Sequence, residues 1–238
     1  MKTTALIVAA GAGVRMGTAR PKAFLELAGR PLLDYSLTAF AAHPSIDGIV
    51  LVVPEALLGR ARALADRHPK LESAAAGGER RQDSVVAGLR LIAGAAGAEA
   101  DDLVLVHDAA RPLVSPELID TVIEAAARTG AAVPGLAPSD TVREVGPGPG
   151  GRIMAATRLD RDRLVLTQTP QGFRLGILRQ AHERGLSAGG AAVSDDASLV
   201  EALGREVEVV PGSRLNLKIT SPEDLVVAAA LLSWQRGE

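Results

Sequence analysis

The sequence predicts an α/β domain in which a mostly parallel sheet is covered by helices on both faces, with a β-hairpin arm protruding from it. Three observations carry this. Short apolar runs alternate with amphipathic segments along most of the 238 residues, the pattern of strands and helices in turn. The runs are bounded by turn residues, and their near-continuous apolar character suits strands buried on both faces. One polar stretch rich in glycine and proline interrupts the alternation and is too polar to sit in the core.

In chain order, buried strands are expected over residues 5–9, 48–53, 103–106, 131–135 and 207–210. Helices are expected over residues 31–43, 55–67, 82–93, 116–128, 175–184 and 222–235. Pro31, Pro116 and Pro222 suit a first helical turn, where a missing N–H costs nothing. Ser115 and Ser221 stand just ahead of two of them as N-caps. Residues 139–145 and 152–157 read as two polar strands joined by Gly146-Pro147-Gly148-Pro149-Gly150-Gly151. With no internal repeat or linker, we expect one domain over residues 1–238, with residues 138–158 as an inserted dimerisation arm. A surface hairpin without a partner is the competing reading.

Composition narrows the function classes. Aromatic residues make up only 2% of the chain against 47% hydrophobic residues, so Ala, Val, Leu and Ile must build the core. A net charge of −2 argues against a general nucleic-acid binder. The chain has no cysteine, which excludes disulfides, thiolate nucleophiles and Cys-ligated metal centres. Met1-Lys2-Thr3-Thr4 leads straight into a short apolar run, too short for a signal peptide. The apolar stretch of residues 225–232 cannot span a bilayer. The expectation is a soluble cytoplasmic protein with no nucleic-acid or membrane partner.

Ligands of parallel α/β sheets bind outside the carboxyl ends of the strands, which singles out the loop after Val8 and the segment after Val106. That loop reads Ala9-Ala10-Gly11-Ala12-Gly13-Val14-Arg15-Met16-Gly17. Small residues let backbone N–H groups approach a polyphosphate closely. Arg15 can fork two phosphate oxygens, and Lys22 adds a compact charge. A Walker loop would need Gly-Lys-Ser/Thr where Met16-Gly17-Thr18 stands. A dinucleotide fingerprint would need a third glycine at Met16. The combination fits the phosphates of a nucleoside triphosphate.

Further along, Ser84 could contact a base or ribose, while Asp83 beside it suits helix capping. Asp108 ends a buried strand, where an oxygen ligand can help hold a divalent cation. Its neighbour His107 reads as structural. Asp195 and Asp196 fit either a metal-binding pair or a helix start.

Ala10-Gly11-x-Gly13-x-Arg15-Met16, continued by Pro21-Lys22-x-Phe24-Leu25-x-Leu27-x-Gly29-x-Pro31-Leu32-Leu33, resembles the signature of nucleotidyltransferases that activate sugar and polyol phosphates. Gly77-Gly78-x-x-Arg81-x-x-Ser84-Val85 and Val106-His107-Asp108-Ala109-Ala110-Arg111-Pro112 resemble elements of a narrower group, the 2-C-methyl-D-erythritol 4-phosphate cytidylyltransferase family. Thr169-Pro170-Gln171-x-Phe173, Ser194-Asp195-Asp196-Ala197 and Asn216-x-Lys218-x-Thr220-x-Pro222-Glu223-Asp224-Leu225 follow in that family's order.

The resemblance implies a single Rossmann-like nucleotidyltransferase domain that moves CMP from CTP to 2-C-methyl-D-erythritol 4-phosphate, a step toward isoprenoid precursors. It implies catalytic roles for Arg15, Lys22, Asp108 and Lys218. Ala9, Ala10, Gly11, Gly13, Arg15, Lys22, Gly78, Ser84 and Ala109 would hold the nucleotide. Asp108, Arg111, Thr141, Arg161, Thr169, Ser194 and Lys218 would hold the polyol phosphate, with Thr141 and Arg161 reaching the neighbouring subunit of a homodimer. Mg²⁺ would be the cofactor, with Asp108 as its ligand. Two positions depart from the family pattern: Val14 precedes Arg15 where many relatives have a second basic residue, and Ser194 stands where many have Thr. Some relatives carry a C-terminal cyclase domain, and this chain, ending soon after Trp234, is expected to lack that activity. A ribitol 5-phosphate cytidylyltransferase and a nucleotide-sensing binding protein are the rival readings.

Overall fold

The computed structural model describes residues 1–11, 21–187 and 195–236. Gly13, Arg15 and Ser194, three of the expected site residues, lie outside the described residues. Along the chain run β1 (Thr3–Val8), the two-residue β2 (Glu26–Leu27) and β3 (Arg30–Pro31), α1 (Leu32–Ala42), β4 (Gly48–Val53), α2 (Leu58–Arg62), β5 (Leu71–Ala76) and α3 (Arg81–Gly94). There follow β6 (Leu103–Asp108), α4 (Pro116–Thr129), β7 (Ala131–Leu136), β8 (Arg143–Pro147) and β9 (Ile153–Arg158). The described elements close with β10 (Leu166–Thr167), β11 (Gln171–Arg174), α5 (Leu175–Ser187), α6 (Ala197–Glu201), β12 (Glu208–Pro211) and α7 (Pro222–Arg236).

Eight strands form one sheet. Ala132 of β7 pairs with both Gly172 of β11 and Glu208 of β12, so these two strands flank β7 on opposite sides. Beyond β11 the order continues β6, β1, β4, β5. All of these pairs are parallel except those of β10 and β11, so the sheet is mostly parallel as expected. Because β4 and β5 are added on one side of β1 and β6 on the other, the winding reverses between β1 and β6. Such a reversal opens a crevice at the carboxyl ends of the strands, and there Val8 lies opposite Asp108.

Side-chain alternation along the strands fills two layers. Ala5, Ile7, Ile49, Leu51, Leu103 and Leu105 pack with α1 and α4 through Leu37, Phe40, Ile119 and Val122. Leu6, Val50, Val52, Val104 and Val106 pack on the other face with α3 and α5 through Val85, Leu89 and Leu178. Strands covered on both faces account for the unbroken apolar runs. Gly88 of α3 is needed for this contact, because a Cβ there would strike the Leu6 side chain.

The expected elements differ from the structure in several places. The helix expected over residues 55–67 is a short α2 flanked by 3₁₀ turns at Glu55–Leu57 and Ala63–Asp66. Only Ala61 of this stretch is buried, so little packing supports propagation of a longer helix through Gly59. Strand β5 was not expected, and its sequence Leu-Glu-Ser-Ala-Ala-Ala has weak strand propensity. Its place beside β4 comes from parallel pairing. Strands β2, β3, β10 and β11 and the helix α6 were also unexpected, all too short to carry a period of their own, and Pro31, expected in a first helical turn, ends β3 and precedes α1 as its N-cap. Finally, the arm strands begin at Arg143 and Ile153 rather than at Ser139 and Arg152.

Ser115 caps α4, its hydroxyl accepting from Leu118 N at 3.3 Å. At the start of α7, Asp224 accepts from the backbone N–H groups of Thr220 and Ser221, so the acidic side chain of the first turn satisfies donors just ahead of the helix.

The β8–β9 hairpin forms its own two-stranded sheet apart from the main one. Every residue of β9 is exposed, including Ile153 at 76% and Met154 at 51%, and Val145 of β8 is 64% exposed.

Candidate active site

The crevice at the strand reversal is lined by Val8, Ala9, Ala10 and Gly11 from the end of β1, by Lys22, and by Gly78, Arg80, Arg81 and Ser84 around the start of α3. Asp108, Ala109 and Ala110 from the end of β6, with Lys218, complete a cleft of about 440 Å³. Parallel pairing of β1 with β6 brings the ends of these two strands together, Ala109 N donating to Val8 O at 3.0 Å. Gly77 lets the start of α3 approach, since a Cβ there would strike Ala10 Cβ and come within 2.6 Å of Ser84 Oγ. The amino end of α3 faces the cleft, where the helix dipole favours an anion.

Asp108 is the centre of charge. Its Oδ1 accepts from Arg81 Nε at 3.0 Å and its Oδ2 from Lys218 Nζ at 2.6 Å. Burial opposes ionisation, yet Arg81 and Lys218 outweigh it and hold this carboxyl far below the usual carboxylate range. Burial likewise opposes the charge on Arg81, but Asp196 and Asp108 overcome it and raise its pKa. The site therefore keeps ions of both signs side by side on the wall of an open cleft, with Asp108 itself buried, where they act on a charged ligand.

The remaining expected residues divide. Ala9, Ala10, Gly11, Lys22, Gly78, Ser84, Asp108, Ala109 and Lys218 all line the cleft. Thr169 does not line it; its buried hydroxyl accepts from Asp108 N at 3.0 Å and meets His107 Nδ1 at 3.4 Å. Arg111 is also buried, and its NH1 donates to Asn216 O at 2.7 Å. It ties the end of β6 to the segment carrying Lys218, and Asn216 Nδ2 closes the same knot on Thr169 O at 2.9 Å. Thr141 and Arg161 are exposed beside the arm, with the Arg161 side chain 57% accessible and 3.4 Å from Ser139 O. Within one chain they do not join the cleft.

His107 is structural, as expected. Fully buried against Phe40 and within reach of Ser36 Oγ and Arg111 O, it is kept neutral by burial, which lowers its pKa to about 4. Asp83 caps α3 with Arg80, as the capping alternative had it. For the acidic pair the structure separates the roles: Asp195 Oδ1 accepts from Ser198 N and Oγ at the start of α6, whereas Asp196 is buried and binds Arg81 at 2.7 Å and His182 at 2.9 Å.

Sequence reasoning left out Arg81. The signal was present, because Arg81 is the single arginine of the Gly-Gly-x-x-Arg-x-x-Ser-Val element, but it stands next to Arg80 in a run of charged residues.

Among the described residues no group of three or more His, Asp or Glu side chains could enclose a metal by itself. Asp108 nevertheless fits one carboxylate ligand of a magnesium ion, which takes one or two carboxylates and completes its shell with water and substrate phosphates. Among the described residues each Asp108 oxygen accepts one side-chain bond, leaving a lone pair on each.

A mostly parallel sheet with an anion-accepting cleft of lysines and arginines at its reversal point defines a nucleotide-binding α/β transferase of the nucleotidyltransferase class. The chain belongs to the 2-C-methyl-D-erythritol 4-phosphate cytidylyltransferase family, whose model matches residues 3–234. The enzyme of that name from Syntrophotalea carbinolica is 43% identical over 235 residues, covering 98% of this chain and 97% of the relative. The crystal structure of the one from Thermus thermophilus aligns with a TM-score of 0.75 at 39% identity, covering 97% and 98% of the two chains. A 4-diphosphocytidyl-2C-methyl-D-erythritol synthase structure from Anaerococcus prevotii aligns with a TM-score of 0.80 at 28% identity over 98% of this chain and 96% of that one. Among the described residues no helix is long and apolar enough to cross a membrane.

Proposed function

We propose that this chain transfers CMP from CTP to 2-C-methyl-D-erythritol 4-phosphate, releasing pyrophosphate. The observation that carries the reading is the convergence of Lys22, Arg81, Asp108 and Lys218, far apart in sequence, on one cleft at the strand reversal. A phosphate oxygen of the polyol attacks the α-phosphorus of CTP; that O–P bond forms as the bond to the bridging oxygen of pyrophosphate breaks. Both reactants are anions, so neutralising and aligning them is the main catalytic task. The glycine-rich loop, Arg15 and Lys22 hold the triphosphate and the charge developing on the α-phosphoryl group. Lys218 draws in the attacking phosphate. A phosphate monoester is already ionised near neutral pH, and no general base is required.

Mg²⁺ held by Asp108 together with the nucleotide's phosphates would supply Lewis-acid stabilisation of the departing pyrophosphate. Gly78, Ser84 and Ala109 contact the nucleotide, and Thr169, Arg111 and Ser194 shape the polyol side. The assay that tests the reading crosses each nucleoside triphosphate with methylerythritol, ribitol and hexose phosphates in Mg²⁺ and measures pyrophosphate release. CTP with methylerythritol 4-phosphate is expected to stand out. Preference for ribitol 5-phosphate would move the reading to that polyol, and a flat response would favour a nucleotide sensor.

The arm of residues 138–158 is the dimerisation element in this reading, in a cytoplasmic homodimer that shares sites. Exposed Val145, Ile153 and Met154 on the hairpin favour a partner surface, and Thr141 and Arg161 then reach the neighbouring cleft. Arg161→Ala is expected to raise the apparent KM for the polyol phosphate. Mixed with Lys22→Ala and allowed to exchange subunits, it should regain about a quarter of wild-type activity, one site being intact in each heterodimer. No recovery despite demonstrated exchange would refute sharing.

A further inference from the structure

We infer that Asp196 and His182 are positioning residues, which together fix the Arg81 guanidinium and through it hold the Asp108 carboxylate against Lys218 in the cleft. The inference rests on the proposed cytidylyl transfer for its readout and on geometry for its content. Four contacts run in series. His182 Nε2 donates to Asp196 Oδ1 at 2.9 Å, Arg81 NH1 to Asp196 Oδ2 at 2.7 Å, Arg81 Nε to Asp108 Oδ1 at 3.0 Å and Lys218 Nζ to Asp108 Oδ2 at 2.6 Å.

The series links α5, the residues leading into α6, the first turn of α3, the end of β6 and the segment before α7. Both acids are the buried members, Asp196 fully and Asp108 at 11% accessible, while Arg81 between them is 22% accessible and Lys218 at the outer end 40%. The inner end is held rigidly. Asp196 N donates to Gln171 Oε1 at 3.2 Å, and Gln171 Nε2 donates to the neighbouring Asp195 Oδ2 at 3.0 Å.

A simple fold clamp is the alternative, and two features speak against it. Buried ion clusters stabilise no better than well-packed apolar residues of similar volume. Among the described residues Arg81 NH2 is also buried without a hydrogen-bond partner, a defect a stabilising clamp has no reason to retain. What the arrangement secures is geometry. Arg81 divides its guanidinium between two acids, Nε to Asp108 and NH1 to Asp196. Without the Asp196 charge it has one carboxylate left and can close on Asp108 with two parallel bonds. The carboxylate then turns from Lys218, and Lys218 is released from its place beside the reacting phosphate.

The test is steady-state kinetics on the full chain with CTP and methylerythritol 4-phosphate, alongside CTP affinity by calorimetry without the polyol and thermal unfolding. Asp196→Asn, close to isosteric, is expected to lower kcat/KM for the polyol phosphate by about 10- to 100-fold, the scale of a small misplacement of reacting groups. CTP affinity measured without Mg²⁺ is expected to stay within about threefold, because the triphosphate loop is untouched. His182→Ala should act in the same direction and more weakly, and His182→Gln, which can still donate to Asp196, should recover most of the loss.

A folded Asp196→Asn protein with wild-type kinetics overturns the inference. So does a loss of thermal stability in which the folded protein keeps full kcat/KM. If Asp196→Asn does not fold, the His182 pair decides: His182→Ala indistinguishable from wild type refutes the series, while loss in Ala with recovery in Gln upholds it. Wild-type protein that turns over no nucleotide–polyol pair would refute the proposed reaction instead, so the two failures are told apart.

Discussion

Lys22→Ala is expected to lower kcat by about 100- to 1,000-fold, the scale of removing one preorganised donor to a developing negative charge. Lys22 opens a 3₁₀ turn, Lys22–Phe24, at the edge of the cleft. Ala23 is buried, Phe24 packs on the core, and Leu25 N donates to Lys22 O at 3.0 Å. Backbone and neighbours therefore help hold the turn, and Lys22 lines the cleft. Truncation should leave the unfolding midpoint within a few degrees, as for partly exposed residues outside the core. Both substrates must be saturating when pyrophosphate release is measured, so that a change in turnover is not mistaken for one in binding. Lys22→Arg keeps the charge but spreads it over a planar fork, and it should recover only part of the loss. Near wild-type turnover in folded, saturated Lys22→Ala would remove Lys22 from the chemistry.

Legibility in the sequence followed physical kind. Strands β1, β4 and β6 announced themselves because they are apolar and bounded by turns, and their carboxyl ends directed attention to the cleft. Strand β5 did not, because Ala74, Ala75 and Ala76 carry no strand signal and only pairing with β4 defines them. Asp108 was legible since it ends a buried strand, and Lys22 since Pro21 prolongs the irregular segment ahead of it. Arg80 and Arg81 looked alike, yet one pairs with Asp83 at the exposed rim of the cleft and the other with the buried Asp108 and Asp196. Which does which depends on the start of α3 and on Asp196, 115 residues further on. Arg111 shows the converse. Its type suits a phosphate, but the fold binds it to Asn216 O across 105 residues, a contact no local pattern encodes. Thr141 and Arg161 stand on the surface of a single chain, and their proposed role depends on a second copy.

Asp108→Asn is expected to show a different signature from Lys22→Ala, with losses in stability and turnover together. The carboxylate accepts from two cations, one on each oxygen. An amide of the same shape can accept at its oxygen only, so its NH₂ must face either Arg81 or Lys218, donor against donor. Lys218, 40% accessible, can turn toward solvent; Arg81, 22% accessible, stays with Asp196. Removing one partner of a buried pair typically costs about 3–5 kcal/mol. The freedom of Lys218 should reduce this to about 2 kcal/mol, a fall of roughly 4–8 °C in midpoint for a chain of this size. Turnover should fall by about 100-fold or more, since the lost charge sits among the reacting groups. Magnesium dependence then separates the two roles given to Asp108. If it anchors the ion, Asp108→Asn needs several-fold more Mg²⁺ for half-maximal rate. If it serves only to hold Lys218, the magnesium curve stays in place while kcat falls, and a Lys218→Ala substitution added to it costs little more. A variant with the stability, turnover and magnesium response of the wild type would show that the ion-paired carboxylate takes part in neither.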